Sequence, residues 1–241
     1  MKDFQGAITD INQAIKINPN DANPYKLRGV FRTAFNDWQG GIADFSQVIK
    51  INPKDISGYV FRGIYRYQLK DLQAAIADFS EIIKINPKNP MGYSMRGISR
   101  LQLKDWQAAM ADFNQGIKID HKNAMAYRGR GVVRTQLKDL QVAITDFDQA
   151  IRFNDAEAYS LRGVVRLALK DHKGAIADFD QAIKINPSNA TAYSTRGIIR
   201  AHLGNKQQAI ADLHKAANLF LQQGNTELHQ KTLDLIKKVQ Q

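Results

Sequence analysis

Apolar residues recur along this chain with the period of a helix, and the helical stretches come in pairs. Between Asp71 and Pro87, Ile76, Phe79, Ile82 and Ile83 return at steps of three and four, which places them on one helix face. Asp71 stands just ahead of this segment, where a side-chain oxygen can accept the free N–H groups of a first turn. Asp37, Asp105, Asp139, Asp171 and Asn205 stand in the same place elsewhere. Pro87, like Pro53 and Pro187, stops a helix. Asn89 then opens the next, as do Asp55, Asn123 and Asn189.

The pattern is written six times. Aligned on Tyr25, Tyr59, Tyr93, Tyr127, Tyr159 and Tyr193, the copies follow at 34, 34, 34, 32 and 34 residues. A fixed period of this size marks a solenoid of helix pairs. With each tyrosine counted as position 4, position 7 is always Arg (Arg28, Arg62, Arg96, Arg130, Arg162, Arg196). Position 8 is always Gly, from Gly29 to Gly197, and position 11 always Arg (Arg32, Arg66, Arg100, Arg134, Arg166, Arg200). Position 20 is small, position 23 is Asp from Asp44 to Asp212, and position 24 is Phe until Leu213. A glycine inside a helix costs about 1 kcal/mol against alanine. The expected compensation is close helix approach, with position 8 facing small position 20 of the second helix.

The 34-residue period, the aromatic at 4, Gly at position 8, the small residue at 20 and the aromatic at 24 resemble the tetratricopeptide repeat (TPR) family. Small Ala150, Ala182 and Ala216 at position 27 and proline at position 32 (Pro53, Pro87, Pro187) add to the match. The resemblance implies an all-α, right-handed superhelical solenoid of helix-turn-helix units with a C-terminal capping helix. Arginine at positions 7 and 11 departs from the family's usual Leu and Tyr. The fourth unit is two residues short, which puts regular stacking between units four and five in question.

The expected organisation is an incomplete N-terminal unit over 1–21, of which only the second helix is written. Six units follow: 22–55, 56–89, 90–123, 124–155, 156–189 and 190–223. A capping helix over 224–241 carries Leu228, Leu235 and Val239 on one face. An unpartnered second helix would leave Ala7, Ile8 and Ile11 partly exposed. That suggests either a cut from a longer protein or self-association, as a homodimer, through this open end.

Net charge is +11, which invites a nucleic-acid reading. Its distribution argues otherwise. Twelve of the fourteen arginines sit at positions 7 and 11, opposite six position-23 aspartates, so buried Arg–Asp pairs are favoured over phosphate contacts. The sequence does not say which Arg meets which Asp. There is no cysteine, no apolar run near ~18 residues, and no charged leader before an apolar block. No membrane span and no signal peptide are therefore expected. The compartment stays open, with a cytoplasmic setting favoured.

Catalytic chemistry finds no foothold. His121, His172, His202, His214 and His229 fall at unrelated repeat positions and never at metal-ligand spacing, so they read as surface residues. No phosphate loop or nucleophile elbow is written. The expectation is a non-catalytic scaffold with no cofactor, metal or small-molecule substrate, binding a protein partner. The resemblance places the partner in a concave groove lined by the first helices. Carried over, that groove is Lys26, Val30, Val60, Phe61, Ile64, Tyr67, Met95, Ile98, Leu101, Arg128, Val132, Val164, Leu167 and Ile198. Phe61, Ile64 and Tyr67 form its expected centre. The family's clamp for a C-terminal carboxylate is absent: Lys26 matches, but Val30, Phe61, Met91 and Met95 occupy its other places. Position 9 is Val or Ile in all six units, suiting either packing between first helices or an apolar peptide segment. The alternatives are a basic surface for nucleic acid or another polyanion, and the self-association module.

Overall fold

A computed structural model describes residues 2–241, with side chains from Gly6 onward. It is all-α, with no strand among the described residues, and falls into two compact bodies that divide after Gly129. The first body holds α1 (Lys2–Ile17), α2 (Ala22–Thr33), α3 (Trp38–Ile51), α4 (Ile56–Gln68), α5 (Leu72–Ile85), α6 (Pro90–Gln102) and α7 (Trp106–Ile119). Helix α8 (Ala124–Gln136) carries the chain across the divide. The second body continues with α9 (Leu140–Arg152), α10 (Glu157–Ala168), α11 (His172–Ile185), α12 (Ala190–His202), α13 (Lys206–Gln222) and α14 (Thr226–Gln240). Within each body the helices pack in chain order, α1 on α2 through to α6 on α7 in the first, and α9 on α10 through to α13 on α14 in the second.

The caps follow the sequence pattern with two exceptions. Asp37, Asp71, Asp105 and Asp171 accept from the N–H three residues on. Asp139 and Asn205 hold the position without that bond. Each turn from first to second helix passes through one left-handed residue at position 15: Asn36, Lys70, Lys104, Lys138, Lys170 and Gly204, with φ between 55° and 82°. Four lysines thus occupy a conformation that glycine or asparagine adopts at less cost.

The glycines at position 8 face position 20 as expected, a Cβ on Gly197 falling 3.2 Å from the Ala209 carbonyl, and they also meet the ring at position 24. A Cβ on Gly63 would lie 2.6 Å from Phe79, and one on Gly97 or Gly131 2.8 Å from Phe113 or Phe147. The glycine is needed because the position-24 ring lies flat against the first helix. Position 20 is small for a second reason besides the approach of position 8, whose Gly29 carbonyl would lie 3.5 Å from a Cβ on Gly41. A Cβ on Gly41 would lie 2.5 Å from Tyr65, at position 10 of the following repeat. Position 10 is accordingly buried at Tyr65, Ser99, Val133, Val165 and Ile199. The glycine at position 8 therefore closes a repeat on itself, and position 20 admits the next one.

The short fourth repeat does not interrupt packing, since α10 lies on α9. Helix α9 ends one residue early, Asn154 turns left-handed at φ 67°, and Asp155 accepts from the N–H groups of Glu157 and Ala158. At the C-terminus, left-handed Gly224 separates α13 from α14. The buried anchors of α14 are Thr232 and Ile236. Of the expected apolar face, Leu235 and Val239 are half-buried and Leu228 is exposed. Two histidines are also half-buried. His229 Nδ1 lies 2.8 Å from the Ala217 carbonyl, and the His172 ring sits 5.6 Å from that of His202 with its own Nδ1 buried.

Candidate interaction surface

Charge is organised first, because it decides which surface stays open. In every repeat the position-23 aspartate is buried and takes both arginines. The position-7 arginine approaches with Nε and Nη2, the latter 2.5–2.7 Å from Oδ1. The position-11 arginine donates from Nη1 to Oδ2 at 2.6–3.0 Å. The remaining Nη1 of the position-7 arginine reaches back to position 25 of the preceding repeat: Arg28 to Asn12, Arg62 to Ser46, Arg96 to Ser80, Arg162 to Asp148 and Arg196 to Asp180. Its guanidinium also lies 5.4–5.7 Å from the position-4 ring at Tyr25, Tyr59, Tyr93, Tyr159 and Tyr193. One side chain thus ties its own two helices together and stitches them to the repeat before. The hydrogen bond to Asp44 raises the Arg28 pKa. At Arg162 burial acts to lower it, and the bonds to Asp178 and Asp148 outweigh burial. All twelve ladder arginines are committed to aspartates, so they are closed to phosphate.

The first-helix residues sort into two groups. In the first body, Phe61 stacks on Phe45 with ring centres 4.9 Å apart, and Ile64 packs against both the Phe45 and the Phe79 clusters. Val60, Tyr67 and Met95 join the Phe79 cluster, and the Gln102 amide donates to the Tyr67 hydroxyl at 3.1 Å. The expected centre of Phe61, Ile64 and Tyr67 is thus brought together, but half-buried against the clusters built on Phe45 and Phe79 of the second helices. Lys26 is also engaged, 2.5 Å from Asp55. Burial acts to raise the Asp55 pKa, yet bonds from Lys26 and Ser57 outweigh it and hold it low. Ile98, Leu101, Arg128 and Val132 are half-buried, and Leu167 packs against the Phe179 cluster.

The second group stands open. Val30 is 42% exposed in the first body, and in the second Val164 and Ile198 are 48% and 44% exposed. Leu27, on α2, is 49% exposed. Position 14 was not singled out from the sequence, yet it is apolar and exposed in every repeat: Phe35, Leu69 and Leu103 in the first body, Leu137, Leu169 and Leu203 in the second. Its signal was the recurrence itself, a hydrophobic residue just past the end of each first helix. Among the described residues no group of three His, Cys, Asp or Glu side chains is placed to hold a metal. No described helix is long and apolar enough to cross a membrane.

Models of the tetratricopeptide repeat match residues 34–90, 94–159 and 156–189. The chain belongs to the tetratricopeptide repeat family. Solved TPR structures share its fold. A chain of the APC/C hetero-tetramer Cut9–Hcn1 aligns over 99% of this chain and 46% of its own length, at 16% identity and a TM-score of 0.81. A TPR protein from Parabacteroides merdae aligns over 96% and 93%, at 19% identity and 0.78. YrrB, described as a TPR protein with an unusual peptide-binding site, aligns over 76% and 95%, at 18% identity and 0.54. No curated protein matches the chain.

In this TPR protein the self-association face also differs from expectation. Ala7 and Ile8 are half-buried on α1, but Ile11 is only 6% exposed and belongs to the core. Ile11 stands at position 24 of its incomplete repeat, on α1, which packs on α2.

Proposed function

We propose that the chain is a non-catalytic scaffold that binds a peptide or helical segment of a protein partner along the outer apolar row of its first helices. TPR folds commonly serve as protein-interaction scaffolds. The observation that carries the reading here is the exposure of Val164 and Ile198 on the first helices of the second body. A β-branched residue loses side-chain freedom in a helix and lowers helix propensity. On an exposed helix face it gains no packing in return, so a covering partner supplies what the fold does not. The polyanion reading weakens because its densest source of charge, the arginine ladder, is closed by aspartates.

The test is a nuclease-treated pull-down comparing wild type with Val164→Glu/Ile198→Glu. Both positions are open, so helical circular dichroism should be unchanged. Proteins retained by wild type and lost by the variant support the reading. An identical catch from both, or a catch that falls steeply with salt, contradicts it.

A further inference from the structure

We infer that His172 and His202 form a binding site for a divalent transition-metal ion of the class that imidazole favours, Zn²⁺, Ni²⁺ or Cu²⁺, at the seam between repeats five and six. His172 is the first residue of α11 and His202 the last of α12, and these two helices pack on each other. No spacing rule pairs two residues so far apart in sequence. The fold brings their rings to 5.6 Å between centroids, with 49° between the ring planes. Asp171 accepts from the Gly174 N–H at 2.8 Å and so fixes the backbone on which His172 stands.

The separation suits one shared ion. A metal–nitrogen bond of about 2.0–2.1 Å, plus about 1.2 Å from nitrogen to ring centre, puts each centroid ~3.2 Å from the ion. Two such arms span the observed 5.6 Å when they open to about 120°, near the tetrahedral angle that Zn²⁺ prefers. The nitrogens are also uncommitted. His172 Nδ1 is buried without a hydrogen-bond partner, and neither ring makes a hydrogen bond or ion pair with another described residue. His229, by contrast, has its Nδ1 on the Ala217 carbonyl. A buried polar nitrogen left unpaired is a mark of an ion or a water. His202 is exposed and His172 half-buried, so an ion reaches the pair from solvent and water completes its coordination. The same two positions hold Trp38 and Gln68 or Leu72 and Gln102 elsewhere, so the repeat does not need an imidazole at either.

The test is isothermal titration of the full chain with Zn²⁺, beside thermal unfolding with and without the ion. Wild type should bind Zn²⁺ saturably at this pair and gain in Tm once the ion exceeds its Kd. The variants borrow residues that other repeats already carry at these positions: His172→Leu, as at Leu72 and Leu140, and His202→Gln, as at Gln68 and Gln102. Each should weaken binding roughly tenfold or more and remove the Zn²⁺-dependent gain in Tm, because each takes away one of two ligands. Helical circular dichroism without metal should stay as in wild type. His214→Gln, at an exposed position on α13, should leave binding and the gain in Tm intact. No saturable binding, or an affinity that neither His172→Leu nor His202→Gln changes, overturns the site. Zn²⁺ binding that appears only with dimerisation in sedimentation also overturns it, since the ligands would then come from two copies.

Discussion

Removing one ladder carboxylate should destabilise the molecule far more than removing a surface charge. Asp78 is the case to take. Its carboxylate receives Arg62 Nε at 3.1 Å on both oxygens, Arg62 Nη2 at 2.6 Å and Arg66 Nη1 at 2.8 Å. Its side chain is 2% exposed, those of the arginines 17% and 24%. Asp78→Ala leaves two half-buried guanidiniums facing each other without an anion. Breaking a buried pair costs about 3–5 kcal/mol. The arginines keep some access to water and can turn outward, which places this loss near ~3 kcal/mol, a large part of the stability of a typical domain. Arg62→Met/Arg66→Leu/Asp78→Ala removes all three charges together and should cost much less, because no buried charge is stranded. The assay is urea unfolding followed by far-ultraviolet circular dichroism. Amide exchange across α4 and α5 shows whether the loss is local, as nearest-neighbour coupling in a repeat array requires. A cost below ~1 kcal/mol for Asp78→Ala, or a triple variant less stable than the single, would refute the reasoning.

Three further outcomes follow from the same geometry. Gly63→Ala gains about 1 kcal/mol of helix propensity, but its Cβ would sit 2.6 Å from the Phe79 ring, so overpacking of about 1–3 kcal/mol should win and denaturation midpoints should fall. Lys70→Gly, at φ 63°, should raise stability by about 0.5–1 kcal/mol, and the equivalent change at Lys104 or Lys138 should do the same in equilibrium unfolding. Burial, aided by the Asp44 carboxylate, pushes the Tyr65 phenol from 10.0 up to about 12, while its hydroxyl donates to the Gly29 carbonyl at 3.2 Å. The folded state therefore holds this proton longer than the unfolded state. The stabilisation is whole below pH ~10 and is lost as pH rises toward 12, so Tyr65→Phe should flatten the alkaline loss of stability in that window.

Much of the fold was legible because each invariant residue of the repeat has its own job inside one helix pair: arginine and aspartate bond each other, glycine admits a ring, and aspartate or asparagine caps. What the sequence hid was direction. Position 8 and position 20 are both small, and nothing in the period says that one meets the ring of its own repeat and the other a residue of the next. The forked arginine was also hidden, since a serine, asparagine or aspartate at position 25 has no pattern until Arg28, Arg62 and Arg196 are seen reaching it. The left-handed lysines at position 15 were hidden as well, because a left-handed φ leaves no mark when the residue is not glycine. The surface was the least legible part. Ile64 and Val164 hold the same repeat position, yet one fills the gap between two core clusters and the other stands open. Their neighbours decide this, and a periodic pattern does not encode them.

The most direct measurement is site-specific photocrosslinking in the source cells, with the reactive residue placed at Val164 on a first helix or at exposed Ala177 on the adjacent second helix. If the first-helix row binds the partner, the Val164 probe gives a discrete protein adduct and the Ala177 probe does not. Adducts from Ala177 alone, or none from Val164 at native abundance, would contradict a scaffold that works through this face.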